Sequence, residues 1–410
     1  MENTIEKINT LKGYALELQK NMTCRPAISP ALGGKGEYQK ALYLEGELNK
    51  IKFDELFHVD APDTNAEGNI RPNIIAKYYG ENKNKTLWLM AHMDVVAAGD
   101  LSLWKTNPFE LTLDKDKDTI YGRGVEDNQQ AIVAALLTAK IIAESGKRPP
   151  INLGLMLLSD EEVGNENGLL YVIKQRPDLF GKEDLFIVQD CGDPEGREIE
   201  IAEKNIFWFK FTVTGKQCHA SIPDHGINAF EASSNLAVRL TKGLREKFNK
   251  IDPLFSPNVS TFELTKREGG VPNVNIIPGS DVFYMDCRVF ADYSKEDLVE
   301  EIERIADTVE NEFKVKVEQE IVVNVASTPT PKDSPLVKAY ADAVKELYKV
   351  DAKIIGVGGG TFAADIRNLG LPAVVGSKMY SNPHGPNERT RLSFVLDDIK
   401  LLVYVITHLK

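Results

Sequence analysis

Residues 86–128 read TLWLMAHMDVVAAGDLSLWKTNPFELTLDKDKDTIYGRGVEDN, a stretch that opens on an apolar run and delivers the acids Glu126 and Asp127 just before its end at Asn128. The run Leu87, Trp88, Leu89, Met90 and Ala91 is too short for a free-standing helix and predicts a strand buried on both faces. Alternate residues of a strand share a face, so His92 and Asp94 leave its end on the same side. A carboxylate beside an imidazole has a definite use. Directly or by a short detour it fixes the tautomer of the ring and leaves the other nitrogen free to bind a metal. A polar surface turn would carry the same two residues, and the pair alone does not separate the two readings.

Working outward, 73–79 predicts a neighbouring strand, and 1–60 predicts two helical segments, the second over 37–56, separated by a loop at 26–36. The turn-rich 99–121 predicts a hairpin. The sequence NQQAIVAALLTAKIIAES at 128–145 combines strong helix formers with apolar residues at three-to-four spacing and stops at Gly146, so Asp127 stands at a helix start. Further strands are predicted at 151–158, running into SDEEVG, at 184–188, ending at Asp190, and at 354–357 and 373–376, with a closing helix at 393–409. This alternation predicts an α/β catalytic domain with a mainly parallel sheet flanked by helices, whose ligands bind beyond the carboxyl ends of the strands. His92, Asp127, Glu161, Glu162 and Asp190 all fall at such ends or at the adjoining helix starts.

The middle of the chain follows a different order. Strand (206–214), helix (227–248), strands (259–266 and 282–290), helix (295–313) and strand (316–325) make a β-α-β-β-α-β unit, a ferredoxin-like α+β domain. The reading is therefore a catalytic domain of 1–203 and 327–410 interrupted by a lid or dimerisation domain at 204–326.

With 410 residues, the chain exceeds the size at which one core stops growing, in keeping with two domains. A net charge of -12 argues against nucleic acid as a partner. Cys24, Cys191, Cys218 and Cys287 form no C-x-x-C pair, which argues against a disulfide framework and a thiolate zinc site. No apolar stretch reaches membrane-spanning length, and the first residues form an amphipathic pattern without the apolar core of a signal peptide, so a cytoplasmic location is the expectation.

His92, Asp127, the pair Glu161-Glu162, Asp190 and the late His384 in SNPHGPNE form a set of nitrogen and oxygen ligands without sulfur. Zinc accepts such a set, as do cobalt and manganese. Adjacent glutamates suit a division of labour, one binding metal and one taking a proton from water, although Glu161-Glu162 alone reads equally as a solvated acidic loop. Together with AHMDVV, WKTNPF, IYGRGVEDN, GKQCHAS, NVNIIPG with MDCRV, and GGGT, these motifs cover nearly the whole chain. In that order they resemble the dinuclear zinc hydrolase family of aminoacylase, acetylornithine deacetylase, succinyl-diaminopimelate desuccinylase and carboxypeptidase G.

The resemblance implies that Asp127 bridges two divalent metal ions, that His92 and Asp190 complete one site, and that Glu162 and His384 complete the other. It also implies that Asp94 orients His92, that Glu161 is the general base, and that a cis peptide follows Asp127. His219 of GKQCHAS matches a histidine that stabilises the oxyanion in the opposite subunit of a homodimer. Asn275 and Arg288 match residues that hold a substrate carboxylate, a task suited to a planar guanidinium, while Arg288 reads equally as a member of a buried structural ion pair. Gly359, Gly360 and Thr361 are read as pocket lining, with a tight strand-to-helix turn as the alternative. The run lacks the third glycine of a dinucleotide loop and the Gly-Lys-Ser/Thr of a phosphate loop. Two departures stand out: Gln129-Gln130 where many members have Lys-Gly, and QDCGDPEG where many deacylases have Glu-Pro, so that Asp193 competes with Asp190, which has the better spacing after its strand.

Three function classes follow. The leading one is hydrolysis of an amide bond in an N-acyl amino acid or diamino acid, with a dipeptidase or carboxypeptidase of the same family as its alternative. A binding protein that kept the fold would show a lost ligand or base, and none is lost. A nicotinamide oxidoreductase built on the glycine run would show a cofactor absorbance.

Overall fold

The apolar run of the opening stretch lies in the strand Asn82–His92, whose last seven residues are buried, in a computed structural model that describes residues 2–380 and 383–409. Parallel partners flank it on both edges, Ile151–Leu158 on one side and Leu185–Val188 on the other. Trp88 lies opposite Gly154, where a Cβ would come within 2.1 Å of the indole, so only glycine fits under that ring.

This strand sits in an eight-stranded sheet with the spatial order Glu55–His58, Ile74–Tyr78, Ile151–Leu158, Asn82–His92, Leu185–Val188, Ala373–Val375, Glu198–Glu203, Lys353–Val357. The four central strands run parallel, and antiparallel pairings enter toward the margins. Gln129–Glu144 packs on Asn82–His92 and against Leu392–His408 and Lys12–Thr23, burying almost its whole length. Because the central strands are parallel, His92, Leu158 and Val188 end at the same edge, and the loops that follow them converge there.

Two boundaries differ from the sequence reading. The helix expected over 37–56 spans only Tyr38–Leu48, and Glu55–His58 is instead an edge strand paired antiparallel with Ile74–Tyr78. Past Leu48 the apolar residues leave helical spacing, and the backbone of 55–58 gains ladder bonds that a lone helical turn would lack. The first helical segment is broken into Glu2–Asn9 and Lys12–Thr23, and the Thr10 hydroxyl donates to the Lys7 carbonyl at the break.

The chain divides into two compact units, Met1–Ile201 with Thr330–Ile355 and Thr361–Lys410, and Ala202–Pro329 with Gly356–Gly360. The second unit carries an antiparallel sheet in the order Thr261–Gly269, Ser280–Val289, Asn205–Thr214, Lys316–Val325. Its helices Ala229–Lys247 and Lys295–Phe313 close one core with Phe207, Phe209, Phe211, Phe262 and Met285. Strand alternation supplies that core: in Asn205–Thr214 every second residue is buried. Ser294 and Asp297 form a capping box at the start of the second helix.

The short stretch Gly356–Gly360, which the sequence reading leaves with 327–410, groups with this unit. Gly356 N–H donates to the Leu254 carbonyl, Lys204 N–H donates to Val357, and a Cβ on Gly356 would meet the Phe255 ring at 2.5 Å. Among the described residues no helix is long and apolar enough to cross a membrane.

Candidate functional site

At the end of Asn82–His92 the imidazole of His92 is buried. Its Nδ1 lies 3.1 Å from the Asp94 carbonyl oxygen and 3.4 Å from the Asp94 carboxylate, which leaves Nε2 facing the opposite way, toward Asp127 Oδ1 at 2.9 Å and Asp190 Oδ1 at 3.6 Å. The Asp94 carboxylate has a second task that the sequence did not suggest. It accepts the backbone N–H groups of Glu161 and Glu162, at 3.1 and 3.0 Å, and so ties the acidic turn to the His92 strand.

Asp127 stands between two imidazoles. Oδ1 faces His92, while Oδ2 is 3.2 Å from Nε2 of His384, which also lies 3.0 Å from Glu162 Oε2. Ligand atoms of His92, Asp127 and Glu162 lie within 4.8 Å of one another, as do those of His92, Glu161 and Asp190. A cis peptide joins Asp127 to Asn128. The competing acid, Asp193, accepts from the Arg197 backbone N–H and guanidinium, at 2.8 and 2.9 Å, whereas Asp190 accepts from Asn128 Nδ2 at 2.6 Å and points into the cluster.

The electrostatics follow from crowding acids among buried and half-buried groups. Burial raises the Glu161 carboxyl well above the ordinary carboxylate range, Asp190 and Glu162 add to the rise, and His92 opposes it. Burial also raises Glu162, against the bond from His384. Asp127 goes the other way: burial disfavours its charge, but bonds from His384 and His92 hold it well below the usual range. His384 is pushed up to about 10 by its bonds to Asp127 and Glu162. The donor set fits divalent cations on two grounds. Its carboxylates outnumber its imidazoles, and Glu162 Oε1 is buried without a hydrogen-bond partner among the described residues.

Several supporting residues carry no signal that spacing alone reveals. Asn128 donates to the Gln189 carbonyl and accepts the His92 backbone N–H, joining the ends of two strands. Arg71 is buried in a bidentate pair with Glu37, at 2.7 and 2.6 Å, and reaches Asp160, the residue before Glu161, at 2.8 Å. Glu388, fully buried, accepts from Arg123 Nη1 at 2.7 Å and from the backbone N–H groups of Gly124, Glu126 and Asp127 at 2.9, 2.9 and 3.1 Å. Arg123 also donates to the His384 carbonyl at 3.2 Å, and Asn387 bonds to Leu103 and Lys105. The GRG and PNE portions of the quoted motifs were the only available sign of this arrangement. Of the Gln129-Gln130 departure, Gln130 donates to Ser377, Lys378 and Asp398 in a buried network, and Thr23 donates to Gln129.

The remaining candidate residues, Thr361 apart, lie in the second unit. The paired segments Cys218–His219 and Ile276–Ile277 bring His219 to Asn275, whose carboxamide nitrogen is 3.4 Å from Nε2. His219 Nδ1 accepts the Ser221 backbone N–H at 3.1 Å. Arg288 is bidentate to Asp286, at 2.7 and 3.0 Å, and donates to the Gly358 carbonyl at 3.0 Å, joining its strand to the glycine run. Gly359 and Gly360 are exposed, and Thr361, in the first unit, caps the helix Phe362–Asn368 through Ala363 N–H. That helix packs Phe362 edge-on against His92.

Comparison with known proteins places this geometry in context. A profile described as Peptidase family M20/M25/M40 matches residues 88–408. The chain is 37% identical over 398 residues to an uncharacterized metallohydrolase of Methanococcus maripaludis, covering 92% of this chain and 94% of that protein. It is 25% identical over 336 residues to aminoacylase-1A of Rattus norvegicus, covering 79% and 80%. Human carnosine dipeptidase 1 shares the fold, with a TM-score of 0.77 at 15% identity over 99% of this chain and 98% of that one.

Proposed function

The chain belongs to peptidase family M20/M25/M40 and is a metal-dependent hydrolase, and from that premise we propose that it cleaves the amide bond of N-acyl amino acids or N-acyl diamino acids. The observation that carries the proposal is Asp127, whose two carboxylate oxygens face His92 and His384 separately, the arrangement of a bridging ligand. His92 and Asp190 would hold one divalent ion and Glu162 and His384 the other, zinc being the first choice and cobalt or manganese the alternatives. Such ions, when bound, acidify a water molecule and polarise the scissile carbonyl.

The chain's own groups supply the rest. Glu161, whose carboxyl is raised by burial and by the neighbouring acids, takes the proton from water and returns it to the leaving amine. Asp94 holds the Glu161 N–H and the His92 ring together, so base and ligand keep a fixed separation. His219, when its Nε2 carries a proton, donates that proton's hydrogen bond to the developing oxyanion. Arg288 is braced by Asp286 and Gly358 and keeps an N–H on each terminal nitrogen for a substrate carboxylate, with Asn275 and the Gly359–Thr361 backbone completing the pocket.

The second unit is proposed to pair with its copy in a homodimer, each His219 serving the neighbouring site. Phe230, Val238 and Leu264 support this pairing as exposed apolar side chains on its outer helix and edge strand. The relation to aminoacylase-1A favours deacylation, with dipeptide cleavage as the alternative. A hydrolysis screen of the zinc and cobalt forms against N-acetyl and N-succinyl amino acids and dipeptides tests the reading. Turnover of the acyl substrates is expected, dipeptide turnover alone would transfer the assignment to a dipeptidase, and no turnover of any would overturn it.

A further inference from the structure

Two ligands of the cluster, Asp127 and His384, come from distant parts of the chain, and both are reached through one buried side chain. Glu388 receives three successive-turn N–H groups, from Gly124, Glu126 and Asp127, together with the Arg123 guanidinium. Arg123 in turn holds the His384 carbonyl. Gly124 has φ +86, and a Cβ there would lie 2.6 Å from Val95, so the turn carrying these N–H groups is shaped for this approach.

We infer that Glu388 is a positioning residue of the metal centre: its carboxylate fixes the main chain of Asp127 directly and that of His384 through Arg123, so one side chain sets the separation of two ligands. The inference rests on the proposed metal reading of the cluster and adds to it a residue that touches neither ion nor substrate. A carboxylate is required because it accepts four bonds at once. A carboxamide of the same shape can accept only on its oxygen and would turn N–H groups against N–H groups. A carboxylate shortened by one methylene keeps the charge and loses the reach. The pair is enclosed, with side-chain exposures of 1% for Arg123 and 0% for Glu388, so solvent cannot replace a lost bond.

The test is cobalt binding, followed by equilibrium dialysis and by the visible absorption of bound cobalt, in the unaltered protein, Glu388→Asp and Glu388→Gln. Both substitutions are expected to weaken cobalt binding by roughly the 10- to 100-fold seen when groups that orient metal ligands are removed, and to alter the cobalt absorption. Because Glu388→Gln leaves the Arg123 charge buried without its partner, the double substitution Arg123→Met with Glu388→Gln is measured beside it, and the same loss of affinity is expected in a protein without that orphaned charge. Wild-type affinity in Glu388→Asp would overturn the positioning role in favour of a purely electrostatic one. A lowered melting temperature with unchanged cobalt affinity in all variants would overturn it in favour of a merely structural one. Failure of the unaltered protein to bind cobalt would overturn the metal reading and the positioning role together.

Discussion

Glu161 and Glu162 are neighbours in sequence, both are bonded through their N–H groups to Asp94, and both are raised by burial, yet their side chains meet different partners. Glu162 contacts His384, whereas Glu161 groups with His92 and Asp190. Glu161→Gln is therefore expected to keep its metal content while kcat falls by roughly 10²- to 10⁴-fold, the range for loss of a general base. Glu162→Gln is expected to lose metal. Elemental analysis beside steady-state kinetics checks both, and equal metal loss in the two variants would reverse the assignment. At this scale the sequence was informative where a chemistry-bearing residue sits at a strand end, as with His92 and Asp190. It carried no role for Asn128, Arg71 or Glu388, whose importance lies in bonds to groups far away along the chain, and no local pattern encodes such bonds.

Among elements, those with strong periodicity were the legible ones. Lys295–Phe313 and Lys316–Val325 lie where the 3.6 and 2 periods place them, while Glu198–Glu203 and Pro335–Tyr348 went unread. The strand Glu198–Glu203 alternates acids with apolar residues, but its acids are buried or nearly so, so polarity gave no guide to its enclosure. The closing helix Leu392–His408 was read from its apolar face, but the burial of Asp398 within it was not. Burial raises that carboxyl to about 7, against bonds from Ser377, Lys378 N–H and Gln130. In the unfolded chain it titrates near 3.8, so between about pH 4 and 7 the folded state holds the extra proton, and stability falls as pH rises through that window. Above pH 7 both states are ionised and the contribution is constant. Asp398→Asn is expected to remove this part of the pH dependence, so that the difference in melting temperature between the two proteins changes from pH 4 to 7 and is flat beyond. A difference that stays constant across the window would refute the shift.

For the whole molecule, the proposed exchange of His219 between subunits predicts complementation. Glu161→Gln and His219→Ala proteins, each inactive, are mixed and allowed to exchange subunits. A mixed dimer has one site with an intact Glu161 and a His219 from its partner, so activity is expected to return. Exchange without recovered activity would confine His219 to its own chain. The chain order of the inserted unit was legible because it is self-contained, whereas the grouping of Gly356–Gly360 with it was not, since it depends on Phe255 and Leu254, about a hundred residues earlier. The buried acids beside Asp127 have a further consequence. A cation held by these acids binds only the folded chain, and such a cation adds about 2.7 kcal/mol of stability at roughly 100 times its dissociation constant. Melting curves recorded after chelation and then across a panel of divalent salts would therefore rank the ions by affinity. The thermal denaturation of the protein thus becomes an assay of its metal preference that needs no substrate.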